Sequence, residues 1–516
     1  MQFILALTPI ILILFLMVGY RWGAARAGAA GYLCAMALAI LYFGANLELL
    51  AFAHTKAFFL ALDVLLIIWA AFLLYRVADE AGAIHTIGTA LPHLTPDRGM
   101  QALIIGWVFA SFLQGVGGFG VPVAVIAPIL VGLGFPPLSG VIIPSIGHGW
   151  AVTFGSMGSS FNALLAATGL PEELLTTPSA FFLGCACIIT GYLVAHAADG
   201  LAAIRRLWFQ ILLLGLVMAI TQFIVVTSGP WNIGSFIAGL FGLIIAFPLA
   251  IQTRVKFKND NEPMNFKALW IAVSGYATLI VLTLVFQLIT PVKNSLGNFY
   301  LQVHFPEIST NLGYITPAGS GRKLYTFGHT GMIIFYASII AFIIYYCAGL
   351  YKPGAAVRII NGTIQKVLSS SVSIAAMVTM AVVMQHAGMT EIIARGLAEG
   401  VGILFPLVSP WIGALGAFMT GSNTNSNVVF GALQMRTAEL LNYAIPIILA
   451  AQTSGAALAS VMAPTKVVVG ASTAGMSGRE GDVMRKLLIY VGFLLLLISL
   501  LTMSAILIGS NISHSS

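Results

Sequence analysis

Residues 421–427 read GSNTNSN, that is Gly421, Ser422, Asn423, Thr424, Asn425, Ser426 and Asn427, between the apolar flanks PWIGALGAFMT and VVFGALQM. If the flanks are membrane interior, six consecutive polar side chains stand at a depth where each needs a partner within the protein. Composition says that they are. Of 516 residues, 59% are hydrophobic and 8% charged, where a soluble chain carries roughly 25% charged residues. Leu487–Ile508 runs 22 residues without a formal charge, long enough to cross a hydrocarbon core about 30 Å thick. The sequence predicts an all-α polytopic membrane protein.

Apolar segments near 3–20, 28–47, 57–77, 100–113, 139–168, 179–198, 208–228, 232–251, 268–290, 330–349, 359–386, 400–418, 441–468 and 486–508 predict about 12–14 transmembrane helices. The first lacks a basic start, and Arg21 and Arg26 follow it, so it reads as a retained span with its N-terminus outside. The loop 252–267 carries Arg254, Lys256, Lys258 and Lys267 and is expected in the cytoplasm. Arg205/Arg206, Lys352/Arg358 and Arg485/Lys486 then fall on the same side, and the polar stretch 291–329 falls outside. This orientation signal accounts for the net charge of +7 without invoking nucleic acid. Cys34, Cys185, Cys187 and Cys347 lie in apolar segments, and the C-x-C at 185–187 lacks the further ligands of a metal site.

Two stretches correspond at an offset of 306 positions. AGAI (81–84) faces AGMT (387–390), FLQG (112–115) faces FMTG (418–421), and SIGHGWAVTFGSMG (145–158) faces AQTSGAALASVMAP (451–464). The span before Arg76 runs inward and its counterpart after Arg358 and Lys366 runs outward, so the repeat has inverted topology, as in secondary transporters. Substrate sites in such folds lie mid-membrane, where broken helices or re-entrant hairpins meet.

Each repeat has a break. In the first it is QGVGGFGVPVAVIAP, where Gly115, Gly117, Gly118, Gly120 and Pro122 interrupt any regular helix. A helix restarting there would aim N–H groups at an anion. In the second it is GSNTNSN, whose hydroxyls and amides both donate and accept. The predicted broken elements are 112–128 and 418–434. Their candidate substrate-binding residues are Gln114, Gly117, Gly118, Phe119, Gly120, Ser422, Asn423, Thr424, Asn425 and Ser426, joined by Gln452 and Ser454 in the stretch that faces the His148 region at the corresponding depth. Thr453 stands between those two.

His148, between glycines in the span after the first break, is the candidate proton carrier, since histidine titrates nearest neutral pH; a satisfied structural histidine is the other reading. Lys466 is either a snorkelling lysine or a fixed positive charge for an anion. Asp63, Asp79 and Glu80 are expected near the ends of the third span, and His386, Glu391 and Arg395 in an interfacial segment. The chain contains no HExxH, GxSxG or Walker loop, and GVGGFG, lying between spans, is no dinucleotide motif. No loop is large enough for a nucleotide-driven pump.

The stretches GGFGVPVAVIAPILVGLGFPPL (117–138), TFGSMG (153–158), TGSNTNSNVVFGALQ (420–434) and GREGDVMRK (478–486) resemble the bacterial L-lactate permease family. The resemblance implies a proton-linked importer of 2-hydroxy monocarboxylates such as lactate and glycolate. The tripeptide SNT also resembles the hairpin tip of divalent anion–sodium symporters, which implies a dimeric elevator transporter. Three positions depart from the permease pattern. Gln114 stands where a glutamate is typical, Asn423 where an aspartate is, and His148, beside Trp150, where an asparagine is. Two carboxylates able to hold a proton are thus amides.

The organisation expected is N-terminal spans 1–54, a first repeat 55–170, middle spans 171–358, a second repeat 359–476 and a C-terminal span 477–516. The function expected is a secondary transporter of a small organic anion in the bacterial inner membrane, most simply H+-coupled import of a short 2-hydroxy monocarboxylate. Na+-coupled carriage of another carboxylate or a sulfonate, and a passive anion channel, are the alternatives. No cofactor, metal or nucleic acid is expected; the partners are the anion, membrane lipid and a second copy in a homodimer.

Overall fold

The computed structural model describes residues 2–515 apart from 21, 91–94, 119, 255–265, 322 and 478. Among the described residues, ten helical stretches are long and apolar enough to cross a membrane, eleven counting a bent pair at 270–297. The sequence segments outnumber them for a physical reason. One helix of 56 residues turns at Asp199 and Gly200 and holds two segments, and several others are half-length.

The helices are α1 (Gln2–Val18), α2 (Ala24–Tyr42), α3 (Leu47–Glu80), α4 (Ala83–Ala90), α5 (Arg98–Gln101) continued by a π-helical stretch Ala102–Phe109 into α6 (Ala110–Val116), α7 (Val121–Gly132), α8 (Pro137–Gly149), α9 (Ser159–Thr168), α10 (Glu172–Thr227), α11 (Gly234–Arg254), α12 (Phe266–Leu288) and α13 (Thr290–Gly297). After a ribbon of three short antiparallel strand pairs between Tyr300 and Tyr325 come α14 (Thr330–Cys347), α15 (Ala355–His386), α16 (Met389–Val401), α17 (Phe405–Thr420), α18 (Asn423–Leu440), α19 (Ile445–Ala459), α20 (Pro464–Thr473) and α21 (Glu480–Ser515). The pairs α2/α14, α3/α15, α4/α16, α5/α17, α8/α19, α9/α20 and α10/α21 each begin within two residues of 306 positions apart. The repeat is written in the elements as well as in the letters.

Its inversion is visible in α3 and α15, which pack antiparallel with Trp69 Nε1 donating to Ser371 Oγ at 2.9 Å. Asn46, capping α3, donates to Ser309 O of the ribbon, and Gly388, just past α15, packs on Tyr314 of the same ribbon. At the other end Glu80 pairs with Arg358 at 2.7 Å. One membrane face therefore carries the ribbon, and the other carries Lys352 of the α14–α15 loop and Arg358 in the first turn of α15. By charge the second is the inner face.

Segments 98–132 and 405–440 are re-entrant hairpins from opposite faces. The first returns to where it started: Arg98 donates to Gly134 O at 2.9 Å and lies 5.6 Å from the Phe135 ring centre. Asp97, beside Arg98, pairs with Arg206, which fixes this base to the inner face. The second has Phe405 and Ala438 in one apolar cluster, and Arg436 pairs with Glu391 of α16 just beyond the outer end of α15. Each hairpin's first arm touches its broken helix backbone to backbone. A Cβ at Gly147 would stand 1.9 Å from Gly106 O, and one at Gly455 2.0 Å from Pro410 O.

Two expectations need correction. Segments 139–168 and 441–468 are not continuous spans. The first breaks between α8 and α9, with Ser156 and Met157 at positive φ and a glycine on each side of them. The second breaks at Ser460–Ala463, where Pro464 starts a new helix. Asp63 is not near a helix end, because α3 begins at Leu47 rather than near 57; it is mid-helix and 3% exposed.

Candidate functional site

Four helices, α7, α9, α18 and α20, start at the four interruptions, each presenting the positive end of its backbone dipole. Around them the two hairpin tips meet at consecutive residues of the second broken helix. A Cβ at Gly120 would stand 3.8 Å from Lys466 Cγ, and one at Gly421 2.6 Å from Thr465 Oγ1.

The first tip is backbone-limited. Gly118 (φ 53°) packs so closely that an added Cβ would fall 1.6 Å from Ser156 Oγ. Gln114 is buried with Oε1 lacking a partner. Gly117 N–H is taken by Leu113 O and Val121 N–H by Gly118 O, and Pro122 has none, so this tip offers fewer free amides than its glycines suggest. Phe119 lies outside the described residues.

The second tip is side-chain-rich. Ser422 caps α18 by accepting from Asn425 N–H at 3.3 Å. Asn423 Nδ2 donates to Thr153 Oγ1 at 3.1 Å, and Asn427, one turn on, donates to Thr453 Oγ1 and Ser160 O, both at 2.9 Å. Thr153 and Thr453 hydroxyls lie 3.2 Å apart, and Ser160 and Thr424 hydroxyls 3.1 Å. Asn425 turns the other way and donates to Ser373 Oγ of α15 at 2.9 Å. All three asparagines leave a buried Oδ1 with no partner.

Ser426 and Gln452 belong to a separate set. Ser426 Oγ donates to Gly413 O, Gln452 Nε2 donates to Ser426 Oγ, Gln434 Nε2 donates to Gln452 Oε1 at 2.5 Å, and Ser409 and Gln434 bond each other twice. This staple holds the arms of the second hairpin to α19. Ser454 is buried with Oγ unpartnered.

His148 is fully buried at the end of α8. Its ring proton on Nδ1 goes to Pro144 O at 2.6 Å, leaving Nε2 an acceptor without a partner. Lys466 is 8% exposed and donates to Ser460 Oγ at 3.1 Å; among the described residues no carboxylate pairs with it.

A cavity of about 460 Å³ opens on the outer face, lined among others by Lys56, Leu60, Ala166, Lys323, Gln385 and Val428. One helical turn deeper stands a cluster around Asp63, the residue expected near a helix end. Asp63 accepts from Asn162 Nδ2 at 2.9 Å and from His329 Nε2 at 2.8 Å. The carboxylate within an apolar run is a signal that marks Asp63 itself, while its partners stand far from it in the chain. Thr153 and Ser160 carried no such signal.

The chain matches the family model described as L-lactate permease over residues 2–509. It is 28% identical to a glycolate permease of Escherichia coli, covering 93% of this chain and 91% of that one. It is 25% identical to an L-lactate permease of Salmonella typhimurium (93% and 92% covered) and 26% identical to one of Bacillus subtilis (96% and 94%). A looser likeness, 15% identity and a TM-score of 0.45 over 86% of this chain and 85% of the other, joins it to the YdaH transporter of Alcanivorax borkumensis.

Proposed function

The chain belongs to the L-lactate permease family, a multi-pass bacterial inner-membrane transporter and not an enzyme, and from that premise we propose that it imports a short 2-hydroxy monocarboxylate such as L-lactate or glycolate together with a proton. The observation that supports an anionic substrate is Lys466. A buried ammonium with only a hydroxyl partner is costly to hold, and a substrate carboxylate completes it. Four helix N-termini converging on the same region favour negative charge there as well. His148 Nε2, an acceptor in its tautomer, suits the 2-hydroxyl of the substrate.

Coupling follows from charge. An anion entering alone against an inside-negative potential loses about 2.3 kcal/mol per 100 mV, and a co-transported proton cancels that loss. A second reading, Na+ coupling, draws on the unpartnered Oδ1 atoms of Asn423, Asn425 and Asn427, which are oxygen ligands for a hard cation. Purified protein in liposomes, loaded across a panel of carboxylates and sulfonates with H+ and Na+ gradients imposed separately, tests both. Saturable uptake of L-lactate or glycolate driven by an acid-outside gradient is expected. Uptake driven by Na+ alone would replace the proton reading, and currents without saturation would replace carriage by a channel.

A further inference from the structure

The outer cavity of about 460 Å³ is walled by both repeats and by the ribbon, with residues from α3, α9, α15, α18 and the strand pairs. The charged members of its described lining are Lys56, Lys323 and Glu172. Glu172 accepts from Trp231 Nε1 at 2.5 Å. Lys323 is exposed on the ribbon, 4.5 Å from the Tyr300 ring centre. Lys56 is half-buried on α3, nine residues past Leu47, the first of that helix, and so ~14 Å in from its outer end. Among the described residues neither lysine pairs with a carboxylate. A lysine at such a depth ordinarily snorkels along lipid to the interface. Lys56 instead lines a cavity.

The floor of that cavity leads to the second hairpin tip. α9 and α18 pack side by side and run outward in step. A Cβ at Gly431 would meet Leu164 Cδ1 at 3.1 Å, and four residues earlier on both helices Asn427 Nδ2 donates to Ser160 O at 2.9 Å. Leu165 and Ala166 of α9, with Val428 and Ala432 of α18, line the cavity. Its floor therefore stands about one turn outside the Ser160–Thr424 contact.

Resting on the reading of carboxylate import, we propose that this cavity is a second, outer binding site for the substrate carboxylate, with Lys56 and Lys323 as its charge partners. The anion is gathered there before it passes between the hairpin and α9 towards Lys466. A cleft lined by one sign of charge, with walls of low dielectric constant, focuses its field and raises the local concentration of the opposite ion. Phe59, Leu60, Val378 and Val428 give the carbon end of a short acid an apolar wall opposite the two ammonium groups. The cavity is far larger than a three-carbon acid, so the carboxylate keeps much of its water and is held weakly. Weak binding suits a site on the way in, since tight binding would detain the anion short of Lys466.

The test is equilibrium binding of L-lactate and glycolate to the full chain in detergent, followed by NMR of the ligand, beside initial rates of uptake into liposomes. Wild type should show a tight phase and a weak, millimolar phase. K466M should lose the tight phase and keep the weak one, and the double variant K56Q/K323Q should do the reverse. In uptake, K56Q and K323Q should each raise KM about threefold to tenfold at a maximal rate within about twofold of wild type. The fall of Vmax/KM with added salt, which screening imposes on a steered anion, should flatten in both. K56R keeps the charge and should behave as wild type, whereas K56M keeps the stem and should behave as K56Q; a packing role would reverse that order. Absence of a weak phase in wild type, or its persistence in K56Q/K323Q, overturns the proposal whatever uptake shows. Should the double variant fail to fold, the single variants decide by the same readings. A wild type that shows the weak phase yet takes up neither acid would instead overturn the transport reading beneath it.

Discussion

Thr153 and Thr453 touch hydroxyl to hydroxyl at 3.2 Å, and through them the two broken helices of the two repeats are joined. Asn423 and Asn427 of the second hairpin grip this pair from one face of α18. The second hairpin is thus bonded to the first repeat's broken helix as well as to its own, and its tip cannot move without remaking those bonds. Asn423→Ala removes one grip and an unpartnered oxygen together. Since a hydrogen bond to a charged partner is worth roughly 1.5–3 kcal/mol, we expect substrate affinity to fall at least tenfold in equilibrium binding of labelled L-lactate. Unchanged affinity in both Asn423→Ala and Asn425→Ala would exclude the second tip from the site.

Lys466→Met should act more severely. Removing one partner of a buried charge pair costs about 3–5 kcal/mol, so KM for uptake should rise by a hundredfold or more. Retained affinity would mean that the lysine serves only Ser460.

Gly118 and Gly132 lie at opposite ends of the same short segment and give a paired control. An alanine at Gly118 would meet Ser156 and needs a left-handed φ, whereas Gly132 has nothing within 4 Å of an added Cβ. Gly118→Ala should leave under about a tenth of wild-type uptake through strain at the tip, and Gly132→Ala should behave as wild type. Equal activity of the two would show that the tip tolerates rearrangement.

Gln452 separates a structural role from a binding one. Gln452→Leu breaks the staple between the second hairpin and α19 and leaves Gln434 and Ser426 short of partners, a loss of about 1–3 kcal/mol. The midpoint of thermal unfolding in detergent should fall by several degrees, with KM within about threefold of wild type. A large rise in KM at unchanged thermal stability would return Gln452 to the substrate site.

The sequence was most legible where chemistry was forced by depth. The glycine run and GSNTNSN both mark hairpin tips, the latter turning at Gly421 and Ser422 before Asn423–Asn427 open α18. The offset of 306 was readable in small residues that recur at the same place in each repeat, such as Gly149 and Gly455. The break at 150–158 was hidden because WAVTFG reads as apolar span, and its irregular backbone rests on Ser156 and Met157, neither of which announces a positive φ. The Asp63 cluster was hidden by distance in sequence. His329 lies 266 positions away, beyond a polar stretch with no periodicity to place it. An N-cap histidine reaching into another helix leaves no local trace.

The inverted pairing of elements has a consequence for the state opposite to this one. If the halves exchange conformations, the mouth now on the outer face would reappear inside, bounded by the positions 306 residues removed from its present walls. Val428 maps to Pro122, Ala432 to Ile126, Leu60 to Lys366, Leu165 to Ala471, and Val382 and Gln385 to Arg76 and Asp79. That inner mouth would open beside the ion pair of Glu80 with Arg358, which joins α3 to α15 at the inner end. A pair bridging two helices of the inverted repeat there would hold such a mouth shut, and Arg358→Gln should bias the resting protein towards the cytoplasm.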